Sequence, residues 1–292
     1  MFVAPCGREP QALGSVLEMP IDDNLGLPRL EGWVLVLGAS SGFGASACLH
    51  FARAGANVVG VHLDRRGTID NAHQLVAQIK SLGREAWFYN VNAADPAKRA
   101  HVLTDVRRRL LERGQGEKFR VLLHSLAFGA LKPFIQEEPE SRIGQSQMDM
   151  TLDVMANSLV YWTQETLDLA LFAHNSRIFA MTSSGSTMSW AGYGAVSAAK
   201  AALESHIRQL SLELTPKGIT ANAICAGVTD TPALRKIPGN EQMIAAALAK
   251  NPSKRLTQPD DVAQALVALS LPGTYWMTGN VIYVDGGESH TG

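Results

Sequence analysis

The chain has 292 residues, of which 46% are hydrophobic and 18% charged, enough apolar material for a large core and too much for a chain disordered throughout. Its formal net charge is −1, with basic residues spread along the chain, so composition favours neither nucleic acid nor an anionic membrane as a partner. Cys6, Cys48 and Cys225 lie far apart without a CxxC spacing, which favours a reducing cytoplasm and predicts neither a disulfide framework nor a metal site. No segment approaches the ~18 uninterrupted apolar residues of a membrane-spanning helix, and the N-terminus lacks the basic-then-apolar order of a secretory signal.

The first part of the chain differs in pattern from the rest. Residues 1–31 contain four prolines among scattered glycine and acidic residues, which predicts an irregular arm on the domain surface. From Trp33 onward, short apolar runs alternate with stretches of helical periodicity, the pattern of repeated βαβ units around a buried parallel sheet. No repeat, low-complexity tract or linker interrupts residues 32–292, so we expect a single domain there.

The apolar runs predict an α/β fold: a Rossmann-type, doubly wound parallel sheet of about seven strands with helices on both faces. The predicted strands are Trp33–Leu37, Asn57–Leu63, Ala86–Val91, Arg120–His124, Arg177–Thr182, Thr220–Ile224 and Val281–Val284. The predicted helices lie near residues 45–54, 68–82, 97–113, 148–173, 194–214 and 259–269.

A glycine-rich turn follows the first predicted strand and precedes an alanine-rich helix. In this order Gly38 permits the tight exit from the strand, Gly42 lets the backbone approach a pyrophosphate, and Gly44 lets helix and strand pack closely. The helix N-terminus presents free N–H groups to phosphate oxygens. We therefore expect a dinucleotide-binding turn, with its contacts from Gly38, Ser40, Ser41, Gly42, Phe43 and Gly44.

The end of the second strand is expected to meet the adenosine ribose of that dinucleotide. His62 occupies the expected position, Asp64 favours the free 2′-hydroxyl of NAD, and Arg65 and Arg66 favour the 2′-phosphate of NADP. A surface turn with self-compensating charges would also explain these residues. Because two arginines follow Asp64, we predict a slight preference for NADPH over NADH.

Tyr193 and Lys200 lie seven residues apart at the start of a predicted helix of small residues. Seven steps of ~100° return to within ~20° of the starting direction, so both side chains face the same way. A phenol with an ordinary pKa near ~10 is a weak acid at neutral pH, and a nearby ammonium would stabilise its phenolate. The pair therefore predicts a tyrosine that serves as proton donor beside a lysine that anchors the cofactor.

These residues resemble the short-chain dehydrogenase/reductase family over about residues 30–289. The similar segments are the glycine turn at 38–44, Ile219–Ile224 and Val284–Gly287. The seven-residue step from tyrosine to lysine differs from the family's more common step of four, where this chain has Ser197.

The longer step resembles the enoyl-acyl-carrier-protein reductases within that family. His124–Phe128 reads His-Ser-Leu-Ala-Phe, which is similar to their His-Ser-Ile-Ala-Phe, and Cys225–Gly227 is similar to their Ser-Ala-Gly. Many of them have a second tyrosine ten residues before the catalytic one, whereas this chain has Ser183. Met155 stands where many short-chain dehydrogenases place a proton-relay asparagine, with Asn157 two residues on, which favours enoyl over ketone reduction.

The resemblance implies a role for each matched position. Tyr193 would interact with the enolate oxygen, Lys200 would bind the nicotinamide ribose hydroxyls, and Gly129 would line the acyl site. In a ketone reductase with the same pair, Ser183 or Ser184 would assist Tyr193. The remaining implied cofactor contacts are Val91, Asn92, Ser125, Leu126, Ala127, Gly227, Thr229 and Thr231.

The resulting hypothesis is an NAD(P)H-dependent enzyme that reduces a trans-2-enoyl thioester carried by acyl carrier protein or coenzyme A, without a metal. Two alternatives use the same residues: a 3-oxoacyl or other ketone reductase, and a catalytically idle NAD(P)-binding protein. Residues 232–250 have apolar side chains at helical spacing and predict either a mobile lid over the acyl chain or an ordinary surface helix. The resemblance also implies a homotetramer assembled through the helices at 148–173 and 194–214.

Overall fold

The computed structural model describes residues 29–291, so the predicted arm lies almost wholly outside the described residues. Seven strands form one sheet in the order β3-β2-β1-β4-β5-β6-β7, with every neighbouring pair parallel. The strands are β1 (Trp33–Leu37), β2 (Asn57–His62), β3 (Ala86–Asn90), β4 (Phe119–His124), β5 (Phe172–Thr182), β6 (Ile219–Ala226) and β7 (Val281–Val284). The predicted doubly wound sheet is confirmed, with strand ends that differ by a few residues.

Eight α-helices connect and cover these strands within the described residues. They are α1 (Gly42–Arg53), α2 (Ile69–Ser81), α3 (Pro96–Arg113), α4 (Gln145–Leu152), α5 (Ser158–Asp168), α6 (Gly194–Leu214), α7 (Asn240–Lys250) and α8 (Pro259–Leu269). All six helices predicted from periodicity are present, but the one at 148–173 needs correction.

The segment predicted as one helix at 148–173 is interrupted and ends early. A π-helical turn, Asp153–Asn157, separates α4 from α5. The chain then leaves the helix at Ala170, whose φ of 54° is left-handed, and β5 begins at Phe172. An apolar run at 169–173 spans the end of the helical segment and the start of β5, so periodicity alone did not mark the boundary.

The sheet separates two apolar cores, since alternate side chains of a strand point to opposite faces. Leu35 of β1 packs in a core with residues of α3, α5 and α6. Its neighbour Val34 packs in a second core with residues of α1, α2 and α8. Both side chains are fully buried, as expected for the central strand of a sheet covered on both faces.

The strand order places the candidate site. β1 lies between β2 and β4, so the connections that follow β1 and β4 leave the sheet in opposite directions. In open parallel sheets, a crevice forms at that point outside the carboxyl ends of the strands. Ser125, just after β4, donates its backbone N–H to the carbonyl of Leu37 at 2.8 Å, which joins the two connections where they part.

Candidate active site

The glycine turn between β1 and α1 is tightly packed at its two ends. A Cβ on Gly38, whose φ is 88°, would overlap the backbone carbonyl of Ser125, and one on Gly44 would overlap the carbonyl of Gly38. A Cβ on Gly42 would meet only the side chain of Thr231, at 3.6 Å. Two glycines therefore close the turn, and the third leaves its backbone accessible towards the loop after β6.

The N-terminus of α1 has the properties of an anion site. No side chain among the described residues caps this end of the helix, where Ser41 is the N-cap, and its first turn contains no acidic residue. Ala45 donates the first of the helical hydrogen bonds, to the carbonyl of Ser41. The N–H groups of the first turn and the helix dipole therefore suit the phosphates of a dinucleotide.

The loop after β2 holds a carboxylate beside this turn. His62 Nδ1 lies 2.7 Å from Asp64 Oδ2, and the backbone of Asp64 exchanges two hydrogen bonds with the Asn90 side chain. Partial burial would raise the pKa of Asp64, but hydrogen bonds from Thr68, Ser40 and His62 together hold it below its ordinary value. The carboxylate is therefore ionised at neutral pH, while Arg65 is exposed on the same loop.

The predicted contacts from β3 and β4 also follow the carboxyl ends of their strands. Val91 donates its N–H to the carbonyl of His62 at 2.8 Å, and Asn92 Oδ1 accepts from Ala94. Residues 125–127 continue from β4. A Cβ on Gly129 would stand 2.8 Å from the side chains of both Thr151 and Val196, so only glycine fits against α4 and α6 there.

Tyr193 is the residue just before α6, and its side chain is partly buried. Burial raises the pKa of Tyr193, and the nearby Ser183 hydroxyl opposes that rise in part. Ser183 Oγ has no hydrogen-bond partner in residues 29–291 that meets geometric criteria, so the two hydroxyls face each other without a formed bond. A Cβ on Gly185 would overlap the Tyr193 ring. Because glycine has no Cβ, the loop after β5 can pack directly against the phenol ring.

Lys200 follows two turns later on α6 and is 6% exposed. Its Nζ donates to the carbonyl of Met181 at 2.6 Å. Burial lowers the pKa of Lys200 to about 8, against the opposing charge of Glu204. The sequence reasoning expected the ammonium to lower the pKa of Tyr193. In this structure the pKa of Tyr193 is raised instead, because burial of the phenol dominates and Lys200 is turned towards β5.

His124 ends β4 and is fully buried next to Lys200. Ser158 donates its hydroxyl proton to the carbonyl of Val154 at 2.8 Å, so its oxygen accepts from His124 Nε2 at 2.9 Å. Nδ1 is then the unprotonated nitrogen of the ring, and it has no partner among the described residues. Burial, followed by the charge of Lys200, lowers the pKa of His124 to about 3, so the ring is neutral.

The loop after β6 brings Gly227, Thr229 and Thr231 to the same crevice. Thr229 Oγ1 donates to the carbonyl of Gly227 at 3.0 Å, and Thr231 Oγ1 accepts from the N–H of Leu234 at 3.2 Å. A Cβ on Gly227 would overlap the Thr257 hydroxyl. The loop is thus held by side chains behind it, with Thr231 facing the glycine turn across the crevice.

Residues 232–250 form a short 3-10 turn and α7, a helix with mostly exposed side chains. Trp190 Nε1 donates to the carbonyl of Pro238 at 3.0 Å, so this segment is tied to the loop that precedes Tyr193. The segment therefore lies beside the loop that leads to Tyr193, and both a lid and a surface helix remain predictions.

The residues predicted from the sequence lie at the carboxyl ends of the strands, but several residues that support their loops were not predicted. Glu204, one turn after Lys200, accepts from Thr182 Oγ1 at 2.6 Å. Glu288 accepts the N–H of Val228, and Thr257 lies behind Gly227. The four-residue spacing from Lys200 to Glu204 could have signalled the first of these. No sequence signal marks the others, which lie 30 or more positions from the loop they support.

The part of the chain that the structure describes contains no cluster of three histidine, cysteine or acidic side chains that could hold a metal ion. None of its helices is both long and apolar enough to cross a bilayer.

Comparison with known proteins agrees with this geometry. A sequence model of the family described as Enoyl-(Acyl carrier protein) reductase matches residues 38–289. The chain is 26% identical over 257 residues to the 1-cyclohexenylcarbonyl-CoA reductase of Streptomyces collinus, covering 87% of this chain and 86% of that protein. It is also 26% identical over 260 residues to the 3-oxoacyl-(acyl-carrier-protein) reductase FabG of Thermotoga maritima, covering 89% and 98%.

A solved structure shares the fold. A short-chain dehydrogenase from Burkholderia cenocepacia in complex with NADP superposes with a TM-score of 0.74 at 24% identity, covering 90% of this chain and 99% of that one. The family match spans most of the described residues and includes both the glycine turn and the Tyr193 helix. The chain is therefore an oxidoreductase of the short-chain dehydrogenase/reductase family.

Proposed function

We propose that this protein uses NADPH or NADH to reduce the double bond of a trans-2-enoyl thioester carried by coenzyme A or acyl carrier protein. The observation that carries the proposal is the partly buried Tyr193 phenol just before α6, with Lys200 buried two turns along the same helix. Both lie at the carboxyl edge of the sheet, beside the glycine turn that suits a dinucleotide.

The residues around the crevice fit a nicotinamide dinucleotide. The uncapped N-terminus of α1 and the accessible backbone at Gly42 suit its pyrophosphate, and Asp64 and Arg65 lie where its adenosine ribose would be read. When bound, the reduced nicotinamide would supply a hydride to the β-carbon of the substrate. Lys200 would leave the Met181 carbonyl and bind the ribose hydroxyls near the ring.

Tyr193 would act on the substrate oxygen. Because burial raises the pKa of Tyr193, the phenol stays protonated at neutral pH and donates a hydrogen bond to the carbonyl oxygen. That bond strengthens as the oxygen gains enolate character, which stabilises the transition state more than the ground state.

An apolar rim would receive the acyl chain. Four large apolar side chains are exposed on the loops that follow β4 and β5: Phe128, Phe134, Ile135 and Met188. A Cβ on Gly194 would overlap the ring of Phe134, so this rim begins beside the catalytic helix.

Two observations favour the enoyl substrate over a ketone. Met155, buried in the π-helical turn, supplies no amide for the proton relay of ketone-reducing relatives. The seven-residue step from Tyr193 to Lys200 separates this chain from the more common four-residue pattern. The reductase of Streptomyces collinus is named for a ring-conjugated enoyl thioester, which supports the same substrate class.

Ketone reduction is the second candidate, and Ser183 supports it. Its buried hydroxyl faces Tyr193 without another partner, so it is free to hold the carbonyl oxygen of a 3-oxoacyl thioester together with the phenol. The relative from Thermotoga maritima carries the name of such a reductase.

Turnover of two matched thioesters separates the candidates. Purified protein is given crotonyl and acetoacetyl thioesters with each reduced cofactor, and cofactor oxidation is followed by absorbance. We expect turnover of the crotonyl thioester to exceed that of the acetoacetyl thioester. Reduction of the acetoacetyl thioester alone would establish the second candidate, and cofactor binding without turnover of either would indicate the catalytically idle protein.

A further inference from the structure

Two consecutive residues at the end of β5 hold two residues of α6 that lie one helical turn apart. The carbonyl of Met181 accepts from Lys200 Nζ at 2.6 Å. The hydroxyl of Thr182 donates to Glu204 Oε1 at 2.6 Å. Lys200 and Glu204 have the spacing at which side chains of a helix are neighbours, so these two bonds hold a buried ammonium and a carboxylate near each other against β5, although the two groups do not form a direct ion pair.

A buried ammonium is costly without an opposite charge nearby, because burial favours its neutral form. Lys200 is 6% exposed, and its hydrogen-bond partner, the Met181 carbonyl, is uncharged. Burial lowers the pKa of Lys200 to about 8, and Glu204 is the charged group that acts in the opposite direction.

The other titratable groups around this pair do not replace Glu204. His124 of β4 is neutral, since burial lowers its pKa to about 3, and burial also lowers the pKa of His206 of α6. Burial raises the pKa values of Tyr193 and of Cys225 in β6, so both stay protonated at neutral pH.

Two further carboxylates, which follow β7 in the chain, act on Cys225. Both accept hydrogen bonds from backbone N–H groups. Asp285 accepts from the N–H groups of Gly287 and Ser289, and Glu288 accepts from the N–H of Val228. Glu204 is therefore the carboxylate that acts on Lys200 in residues 29–291.

We propose that Glu204, oriented by Thr182, is a positioning residue that keeps Lys200 in its ammonium form when Lys200 binds the cofactor. Glu204 touches neither cofactor nor substrate and acts through Lys200. The role in turnover rests on the proposed function, whereas the charge state of Lys200 is a property of the protein alone.

The test measures Lys200 directly, in the full chain. NMR of isotope-labelled lysine side chains follows protonation from about pH 6 to about pH 10, with the Lys200 signal assigned by its loss in Lys200→Met. Glu204→Gln removes the charge at nearly constant shape and should lower the midpoint by roughly one pH unit, the usual effect of a close opposite charge. Glu213→Gln makes the same change at the exposed far end of α6 and should leave the midpoint unchanged.

Two further variants keep the test decisive. Glu204→Asp retains the charge and should keep the midpoint closer to that of the unsubstituted protein than Glu204→Gln does. Thr182→Val removes the hydrogen bond to Glu204 but keeps its carboxylate, so it should lower the midpoint by less than Glu204→Gln does. If circular dichroism shows that Glu204→Gln does not fold, the test uses Thr182→Val. If Glu204→Gln folds and its midpoint equals that of the unsubstituted protein, the proposal is overturned. If only Thr182→Val folds, an unchanged midpoint in that variant overturns it.

A second readout separates this inference from the proposed function. In an active enzyme, the alkaline limb of the pH profile for turnover should move to lower pH in Glu204→Gln and stay in place in Glu213→Gln. If no thioester is reduced, the NMR midpoints still decide the role of Glu204, and only the proposed function fails.

Discussion

The backbone of Gly44 in α1 lies directly against the carbonyl of Gly38, so closely that a Cβ at Gly44 would overlap that oxygen. The two residues are the last and first glycines of the turn between β1 and α1. Their contact fixes the direction in which α1 leaves the sheet, and with it the direction of the N–H groups at its N-terminus.

Replacing Gly44 by alanine should therefore disturb cofactor binding. The added methyl group has a backbone atom as its neighbour, which cannot move aside without shifting the turn. We expect the affinity for reduced dinucleotide, measured by fluorescence titration, to fall at least about 10-fold, since about 1.4 kcal/mol of lost contact gives that factor. Gly273→Ala, at a glycine after α8 with open space around it, is the matched control, and equal affinities in the two variants would contradict the prediction.

Tyr193→Phe removes the proposed donor and retains the ring. Because the phenol is expected to act on charge that develops in the transition state, kcat should fall roughly 100-fold or more. The KM for the cofactor should change little. Steady-state kinetics with the preferred thioester measures both, and Tyr161→Phe on α5 serves as the control. A Tyr193→Phe variant with full activity would exclude the proposed mechanism.

The loop after β2 should set the cofactor preference. The ionised carboxylate of Asp64 opposes a 2′-phosphate, and the exposed guanidinium of Arg65 favours one. Asp64→Asn should raise the ratio of kcat/KM for NADPH to that for NADH, and Arg65→Gln should lower it. The ratios are compared in one buffer of fixed ionic strength, because added salt weakens the effect of an exposed charge. If both substitutions move the ratio in the same direction, the loop does not read the phosphate as proposed.

Asp261 should make the stability of the protein depend on pH. Partial burial would raise its pKa, but Arg255 and the N–H of Gln258 hydrogen-bond the carboxylate and hold the pKa below its ordinary value. A carboxyl group whose pKa is lower in the folded state stabilises the protein above its unfolded pKa, near ~3.9, and loses that contribution as pH falls through the folded value.

Asp261 is the third residue of α8 and accepts from the N–H of Gln258, the N-cap of that helix. Asp261→Asn should accordingly lower the free energy of unfolding by about 1 kcal/mol at neutral pH, the usual size of a lost helix cap. The deficit should shrink as the pH falls below about 4, where the carboxyl group is protonated first in the unfolded chain and, at still lower pH, in the folded protein. Urea unfolding at two pH values measures it, with Asp70→Asn on the exposed surface of α2 as the control. A deficit that grows on acidification would show that the sign is wrong.

The sequence by itself determined the fold class and the edge of the sheet that carries the site. Alternating apolar runs and helical periodicity depend on neighbouring residues alone, so they predicted the strands, most helices and the glycine turn before any contact was known. The seven-residue spacing of Tyr193 and Lys200 follows from helix geometry in the same way. Periodicity failed at Ala170, because this residue takes a left-handed φ inside an apolar run and no glycine or proline marks the turn.

Only the tertiary structure decided the electrostatics of the site. Burial raises the pKa of Tyr193 and lowers that of Lys200, and burial depends on which distant segments pack over these groups. The pairing of Lys200 with Met181 and of Glu204 with Thr182 joins positions about 20 residues apart, through the packing of α6 on β5. The pKa of a group depends on every charge and on the burial within several ångströms of it, whereas a sequence pattern depends only on residues that are close along the chain.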